Sequence, residues 1–326
     1  MPNPTPGSVH ADGYLTDLSV AFVQSSTKYV ASRVFPEVPV QKQSDTIAMY
    51  DRGDFLRDEV AKRQAGSHSE RAGYRTNSTS YVADEWSLEH AIDDQVRANA
   101  DSPYDVDKAA TAFLGQKMLI KREVEFVTNF FTTGNLWTGS SDGADLIGGT
   151  DFTQWSNAAS TPIEDIHDKQ TRIESATGFL PNKLVLNRNV WFDLKNHPDI
   201  VDRIKHTNGD AVSQAIVAQL LGLDEVLVAA AVRNTSAEGN TASGSYIAGD
   251  DALLVYTPSN PTLLEPAAGL TLTWDGLLAG ASNGMGVDQY REEASISDIY
   301  RIRGAWAQKR VSPALGAFFN NCSTRA

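Results

Sequence analysis

Residues 41–75 carry seven Lys/Arg and six Asp/Glu, and large apolar side chains are scarce among them. Two runs rich in β-forming residues, Thr46-Ile47-Ala48-Met49-Tyr50 and Thr76-Asn77-Ser78-Thr79-Ser80-Tyr81-Val82, flank the stretch and read as strands. The middle, from Arg52 to Gly73, is punctuated by Gly53, Gly66 and Gly73. A long two-stranded excursion of this kind is not stable by itself in water. It must lie on a surface, either its own body or a neighbouring molecule, or else remain a disordered loop. A chain with such a segment is therefore expected to be an assembling subunit with an extended arm.

Residues 1–40 pose the same question. Pro2, Pro4 and Pro6 oppose early helix, and Pro36 and Pro39 keep a later stretch extended. Between them Tyr14, Leu15, Leu18, Val20, Phe22 and Val23 offer apolar groups without room for a core of their own. The segment reads as an arm that buries these groups elsewhere on the fold or on another subunit. A frayed terminus with a short helix near Leu15–Gln24 is the alternative.

Residues 101–131 give the strongest helical pattern. Asp101, Ser102 and Asp105 are good starters and Asp107 follows in the first turns. Val106, Ala110, Phe113, Ile120, Val124, Val127 and Phe131 recur at helical spacings, so an amphipathic spine of about 27 residues, roughly 40 Å, is expected. Gly134 and Gly139 follow its end. Residues 160–290 read as an α/β unit. Its helices start at Pro162, Asn189, Pro198 and Asp210, and its strands are 183–187, 226–232, 252–256 and 270–274. The polar run Arg233–Asp250 reads as a surface loop. Ser297–Arg303 reads as a half-buried strand packed beside the spine helix.

Charge limits the function classes. The net charge is −13, against a protein that coats nucleic acid with its whole surface. Residues 160–290 hold eight Lys/Arg and sixteen Asp/Glu, whereas 291–326 hold six and three. Basic arms over acidic neighbours would use such a division. No run approaches 18 apolar residues, so no helical membrane span is expected, and the Pro-rich start is not a secretory signal. The single Cys322 forms no internal disulfide and no zinc cluster, which fits folding in a reducing cytoplasm.

Catalytic patterns are weak. Gly280-Ala281-Ser282-Asn283-Gly284 superficially matches a nucleophile elbow but lacks a clean strand–turn–helix setting, so a flexible turn is the ordinary reading. Glu89-His90 with Asp93-Asp94 places carboxylates one turn from an imidazole, which could hold a metal, but the ordinary reading is a solvated helix face. The adjacent acids Glu292-Glu293 and Asp250-Asp251 also read as solvated. No catalytic residue, cofactor or metal is assigned, and the chain is not expected to be an enzyme.

The order of segments resembles the tailed-bacteriophage major capsid family. The resemblance is carried by Gly13-Tyr14-Leu15-Thr16-Asp17-Leu18-Ser19 and by Tyr29 to Val40 in the arm. It continues through Tyr50-Asp51-Arg52-Gly53-Asp54 and Arg57-Asp58-Glu59, Tyr81 and the run Glu89–Asp101, and Lys183-Leu184-Val185-Leu186-Asn187 with Val190-Trp191. It implies an α+β capsid fold with an N-terminal arm (1–40) and an extended β-hairpin loop (41–85). A peripheral domain with a long spine helix (86–159), an axial α/β domain (160–290) and a return strand of the peripheral domain (291–326) would follow. It implies self-assembly as pentamers and hexamers into an icosahedral shell around double-stranded DNA, without sequence-specific binding and without a membrane. Portal, scaffolding and decoration proteins are the implied partners, with scaffolding expected as a separate protein because the arm begins almost at Met1. The virion is the implied location, after assembly in the host cytoplasm. Arg52, Arg57, Lys62, Arg63 and Arg71 are the expected intersubunit ion-pair groups. Lys42 and Lys62 lie where some members carry a crosslinking lysine, but neither can be matched to a partner. The competing readings are an encapsulin-like compartment subunit, a hydrolase using the Ser282 region, and a tail or baseplate component.

Overall fold

The computed structural model describes residues 24–50, 52–100, 105–139, 145–205, 212–258, 265–276 and 284–325. The segments Gly13–Ser19 and Leu15–Leu18 of the arm, the start of the helix placed at Asp210, and Ser282 fall outside them. A helix from Val106 to Phe130 runs through the fold as its spine, its first turn capped by Asp105, which accepts from the Lys108 amide at 3.1 Å. Ahead of it lie β1 (Glu37–Val40), β2 (Ser44–Tyr50), β3 (Thr76–Val82) and β4 (Asp84–Asp93). After it come β5 (Leu146–Ile147), β6 (Lys183–Asn187), β7 (Glu225–Ala229), β8 (Val232–Asn234) and β9 (Gly244–Tyr246). The last stretch adds β10 (Ala252–Val255), β11 (Gly269–Trp274), β12 (Met285–Glu292), β13 (Ser297–Arg310) and β14 (Gly316–Asn320).

One sheet runs β5-β14-β10-β6-β7, with β6 parallel to β7 and antiparallel to β10. Its strands are continuously apolar because both faces are covered. Leu184, Leu186, Leu254, Val226 and Phe319 pack under helices Pro162–Thr177, Arg188–Lys195, Pro198–Ile204 and Gln214–Leu220. On the other face Val185, Leu227, Leu253 and Phe318 meet Phe35, Phe126, Phe130 and Trp137. Pro162 opens its helix at the first position, and Gly178, at φ +79°, closes it in the left-handed conformation that glycine tolerates. Gly316 is required for contact, since a Cβ there would lie 2.4 Å from the Trp137 ring.

The second sheet runs β1-β11-β13-β12, with β4 on the free side of β13. One face of β13 offers Tyr300, Ile302 and Trp306 to Ala110, Leu114 and Met118 of the spine helix. The strand expected at 297–303 is therefore present, extended to Arg310, and packed against the spine. Sheet membership cuts across the residue ranges set out above. β11, inside 160–290, pairs with β1 and β13, and β14, inside 291–326, pairs with β10.

Several expectations are corrected. The buried stripe of the spine is Ala110, Leu114, Met118, Arg122, Glu123, Phe126 and Phe130, while Phe113 is 46% exposed. Two buried charges break the apolar pattern, and the helix is covered by different partners along its length. The run 226–232 is not one strand. β7 stops at Ala229 and the Ala230 amide donates to the Lys28 carbonyl, because the chain's early segment inserts there. The loop 233–250 contains the paired strand β9. Asp250 and Asp251 are half-buried and held by hydrogen bonds, not freely solvated. Asp250 accepts from Asn187 and Asn189, and Asp251 accepts from the Asn321 amide at 2.8 Å. Burial pushes the Asp251 carboxyl up to about 6.

Residues 24–40 take one of the two courses open to the arm, burial on their own fold. Tyr29, Val30, Ala31, Val34, Phe35, Val38 and Val40 are all buried in their own molecule. The Gln24 side chain pairs with both backbone groups of Val232, Arg33 pairs with Glu225, and the Thr271 amide donates to the Pro36 carbonyl. This part of the expected arm is a strap that ties the two sheets to the spine.

Candidate assembly surface

The hairpin of β2 and β3 is rooted and then leaves the body. At its root, Ile47 and Tyr81 pack with Val38, Val40, Leu270 and Leu272. The Tyr81 hydroxyl donates to the Lys42 carbonyl at 3.2 Å. Seven residue pairs, from Ser44 opposite Val82 to Tyr50 opposite Thr76, carry the ladder outward. Beyond it, from Arg52 to Arg75, only Asp54 and Glu59 are less than exposed. Phe55 and Leu56 are each 60% exposed, Tyr74 63% and Val60 95%. These four side chains are the large apolar groups of the segment, and they lie on its outer surface.

The loop's neck has an order of its own. One turn of helix, Arg52–Phe55, places Asp54 against Arg75. The Asp54 carboxylate accepts from the Arg75 amide at 2.9 Å and from its guanidinium at 3.0 and 3.1 Å, and Arg57 approaches at 3.5 Å. Hydrogen bonds from Arg75 hold the Asp54 carboxyl below its ordinary range. The Phe55 and Tyr74 rings meet at 5.6 Å between centroids. Farther out, Ser67 bonds back to Gln64 around Gly66, at φ +87°, and the Arg63 guanidinium donates to the Ser67 carbonyl. The neck is thus clamped while the span beyond it stays open.

The five basic groups singled out from sequence divide under this geometry. Arg57 is occupied by Asp54 and by Glu59 at 3.0 Å, and Arg63 braces its own turn. Arg52, Lys62 and Arg71 are exposed and have no ion-pair partner among the described residues. Sequence alone missed Asp54 and Arg75, whose pairing depends on hairpin register. Their opposite charges at either end of the glycine-punctuated stretch were the available signal.

The sheet β4-β13-β12 presents a second charged surface. On its outer face Arg301 pairs with Asp288 and lies 3.8 Å from Glu89, and its guanidinium sits 5.2 Å from the Tyr290 ring centre. At one end Arg291 holds Asp94 at 2.6 Å, while Arg97 joins Asp298 to Asp107. Hydrogen bonds from these arginines lower the Asp94, Asp288 and Asp298 carboxyls. The grouping Glu89-His90-Asp93-Asp94 lies not on a helix face but on β4 and just beyond it. His90 faces the Phe113 ring, and Asp93 caps the helix Asp94–Ala98. Among the described residues no group of three or more His, Cys, Asp or Glu side chains is placed to hold a metal. Asp84 and Glu85 remain exposed at the start of β4.

No protein-family model matches the chain. Two relatives do. The chain is 28% identical over 328 residues to the major capsid protein of Pseudomonas phage JBD67, covering 95% of this chain and 96% of the relative. It is 24% identical over 270 residues to the major capsid protein of Burkholderia phage BcepMu, covering 81% and 84%. Among solved structures, a phage-related protein from Bordetella bronchiseptica RB50 matches with a TM-score of 0.69 at 20% identity, covering 96% and 97% of the two chains. The mature capsid of bacteriophage PhiM1 gives 0.54 at 14% identity, over 87% and 84%. The SrpI encapsulin of Synechococcus elongatus PCC 7942 gives 0.55 at 12% identity, over 97% of each chain. The mixed helix-and-sheet fold expected from sequence is shared with these solved structures, the PhiM1 capsid and the SrpI encapsulin among them.

Proposed function

We propose that this chain, a relative of the phage major capsid proteins with their fold, is the subunit of a phage head shell and acts through contacts, not catalysis. The observation that carries the mechanism is the hairpin loop, held at its root and clamped at its neck but exposed along nearly its whole outer length. In the shell this loop lies on a neighbouring subunit, burying Phe55, Leu56, Val60 and Tyr74. Arg52, Lys62 and Arg71 meet acidic groups of that neighbour, with the exposed Asp84 and Glu85 of β4 as the matching charges. A single exposed ion pair contributes only about 0–1 kcal/mol. Repetition across every subunit interface, together with the buried apolar groups, makes the sum large.

In this reading the spine helix and the β4-β13-β12 sheet form the peripheral domain, and the α/β unit forms the axial domain around five-fold and six-fold axes. Pentamers and hexamers enclose double-stranded DNA, and an acidic chain holds that DNA without gripping it. Portal, scaffolding and decoration proteins would join the same assembly, in the host cytoplasm before release as virions. The five groups Arg52, Arg57, Lys62, Arg63 and Arg71 remain the basic set of the interface, Arg57 and Arg63 by shaping the loop and the other three by pairing across it.

Expression of the chain, alone or with a scaffolding protein, should give closed shells or capsomers in negative-stain electron microscopy. Removal of Gly53–Gly73 should leave a soluble subunit that no longer closes shells. A monomer under every assembly condition, or normal particles from the shortened chain, would overturn the reading. Fold likeness alone does not separate a phage head from an encapsulin-like compartment, whereas both sequence relatives are phage proteins. Particle contents decide between them, double-stranded DNA for a head and a protein cargo for a compartment. Rings or tubes in place of closed shells would point to a tail component. Loss of a hydrolase activity in Ser282→Ala would point to catalysis.

A further inference from the structure

One buried acid has no part in the contacts above. Glu123 lies on the spine helix and is 1% exposed. Its carboxyl accepts from the Val30 amide at 3.1 and 3.2 Å and from the Ala31 amide at 3.0 Å. These bonds join the spine to the strap, at the start of the short helix Ala31–Val34. The surroundings are apolar. Tyr29, Ala231 and Ile247 pack with Leu119, Ile120, Val124 and Val127 on one side, and Val30, Ala31, Val34 and Phe35 pack with Phe126 and Phe130 on the other.

Among the described residues no cation forms an ion pair with Glu123, although the charge of Arg122 works against the effect of burial on it. Arg122, its neighbour on the helix, is buried and turned to Glu37 of β1 at 2.5 Å. Tyr29, on the strap, has its hydroxyl bonded by the Gln116 amide at 2.6 Å. Arg33, farther along the strap, is engaged by Glu225. Two backbone amides therefore stand in for water and for a cation.

We propose that Glu123 is a proton-operated joint between the spine helix and residues 24–34. The strap is held tightly when the carboxyl is protonated and loosens when it is ionised. An ionised carboxylate closed into an apolar site loses most of its hydration, and opening the strap restores it. A protonated carboxyl carries little such cost and still offers an oxygen to the amides. Burial pushes the closed-state carboxyl up to about 7, whereas in an opened, hydrated strap it returns to its ordinary value near 4.5. Between those values the closed strap binds a proton that the open strap does not. Closure is therefore strongest at and below the lower value, weakens as pH rises toward 7, and levels off above it.

The inference concerns the subunit itself and does not depend on the shell reading. Hydrogen exchange read by mass spectrometry on peptides spanning Tyr29–Val34, corrected for the intrinsic chemical rate, tests it. From pH 5 to pH 8 the opening equilibrium of this segment should rise on the order of a hundredfold, at tenfold per pKa unit. Peptides from β6 should not follow. Glu123→Gln, a neutral acceptor of the same shape, should keep the strap protected across the range. An equal pH response in the wild type and in Glu123→Gln, or a wild-type strap that tightens as pH rises, overturns the proposal. Infrared spectroscopy of wild-type protein carrying 13C-labelled glutamate gives a second measurement that needs no variant. A protonated glutamic acid band should persist at pH 6 and fall to about a tenth of its full strength by pH 8. Complete ionisation of all glutamates at pH 6 overturns the proposal equally.

Discussion

The strap at residues 24–40 and the loop at residues 52–75 look alike in sequence, both proline- or glycine-broken and both in want of a surface, yet they end in opposite places. The strap buries Tyr29, Val30, Ala31, Val34, Phe35, Val38 and Val40 inside its own molecule. The loop leaves Phe55, Leu56, Val60 and Tyr74 open. Ordering a residue's backbone costs about 1–2 kcal/mol, and burying a large apolar side chain returns about 1.5–3 kcal/mol. Between Tyr29 and Val40 more than half the positions are apolar and buried, so the balance favours docking. Between Arg52 and Arg75 the four large apolar groups are scattered among charges that would also have to be desolvated. Density of apolar groups, not their presence, divides a strap from a reaching arm.

The largest expected effect is on the strap. Phe35 is fully buried, with its ring centre 4.4 Å from that of Phe130 and 5.8 Å from that of Phe126. Phe35→Ala should lower subunit stability by about 3–5 kcal/mol in urea unfolding. A loss below about 1 kcal/mol would mean that the strap docks only loosely and that the contrast is false. Next, Glu37→Ala strands Arg122, which is 3% exposed, and should cost about 3 kcal/mol by the same measurement. Wild-type stability after this change would show that water reaches Arg122.

Smaller effects are expected in the loop. Asp54→Asn should leave the unfolding midpoint where it is while exchange of the Arg75 amide accelerates severalfold, because the clamp is local. Arg75 holds the Asp54 carboxyl below its ordinary range, so the clamp is present above that range and lost only as pH falls through the depressed value. Loop protection should accordingly stay flat between pH 5 and 8, where the strap's protection changes. The smallest effect is Val60→Ala, within about 0.5 kcal/mol for the isolated subunit. The same change should weaken assembled shells in a salt or heat challenge. Equal loss in subunit and shell would place Val60 against its own body.

Much of this architecture was legible along the chain. Asp105 capped the spine, Pro162 and Gly178 bounded a helix, Lys183–Asn187 formed the strand expected, and the two β-rich runs paired as a hairpin. The candidate surface was legible as a segment but not in its pairings. Arg57 belongs to a clamp completed by Asp54 and Arg75, which adjoin in space only once the hairpin register is set. The spine's stripe was misread because Arg122 and Glu123 are buried, and their partners Glu37, Val30 and Ala31 lie far away in sequence.

Local physics was enough to determine where the spine and the helix at Pro162 begin, roughly how long the spine is, where the strand Lys183–Asn187 and the hairpin strands lie, and that the charged stretch cannot form a core. Capping, periodicity and glycine or proline punctuation act over a few residues and are written in them. Only tertiary structure decided that residues 24–40 of the expected arm form a strap, that β11 serves the sheet of β1 and β13, and that Glu123 is sealed beneath that strap. Those outcomes depend on surfaces brought together from distant parts of the chain, and burial at such a surface is a property of both sides of the contact.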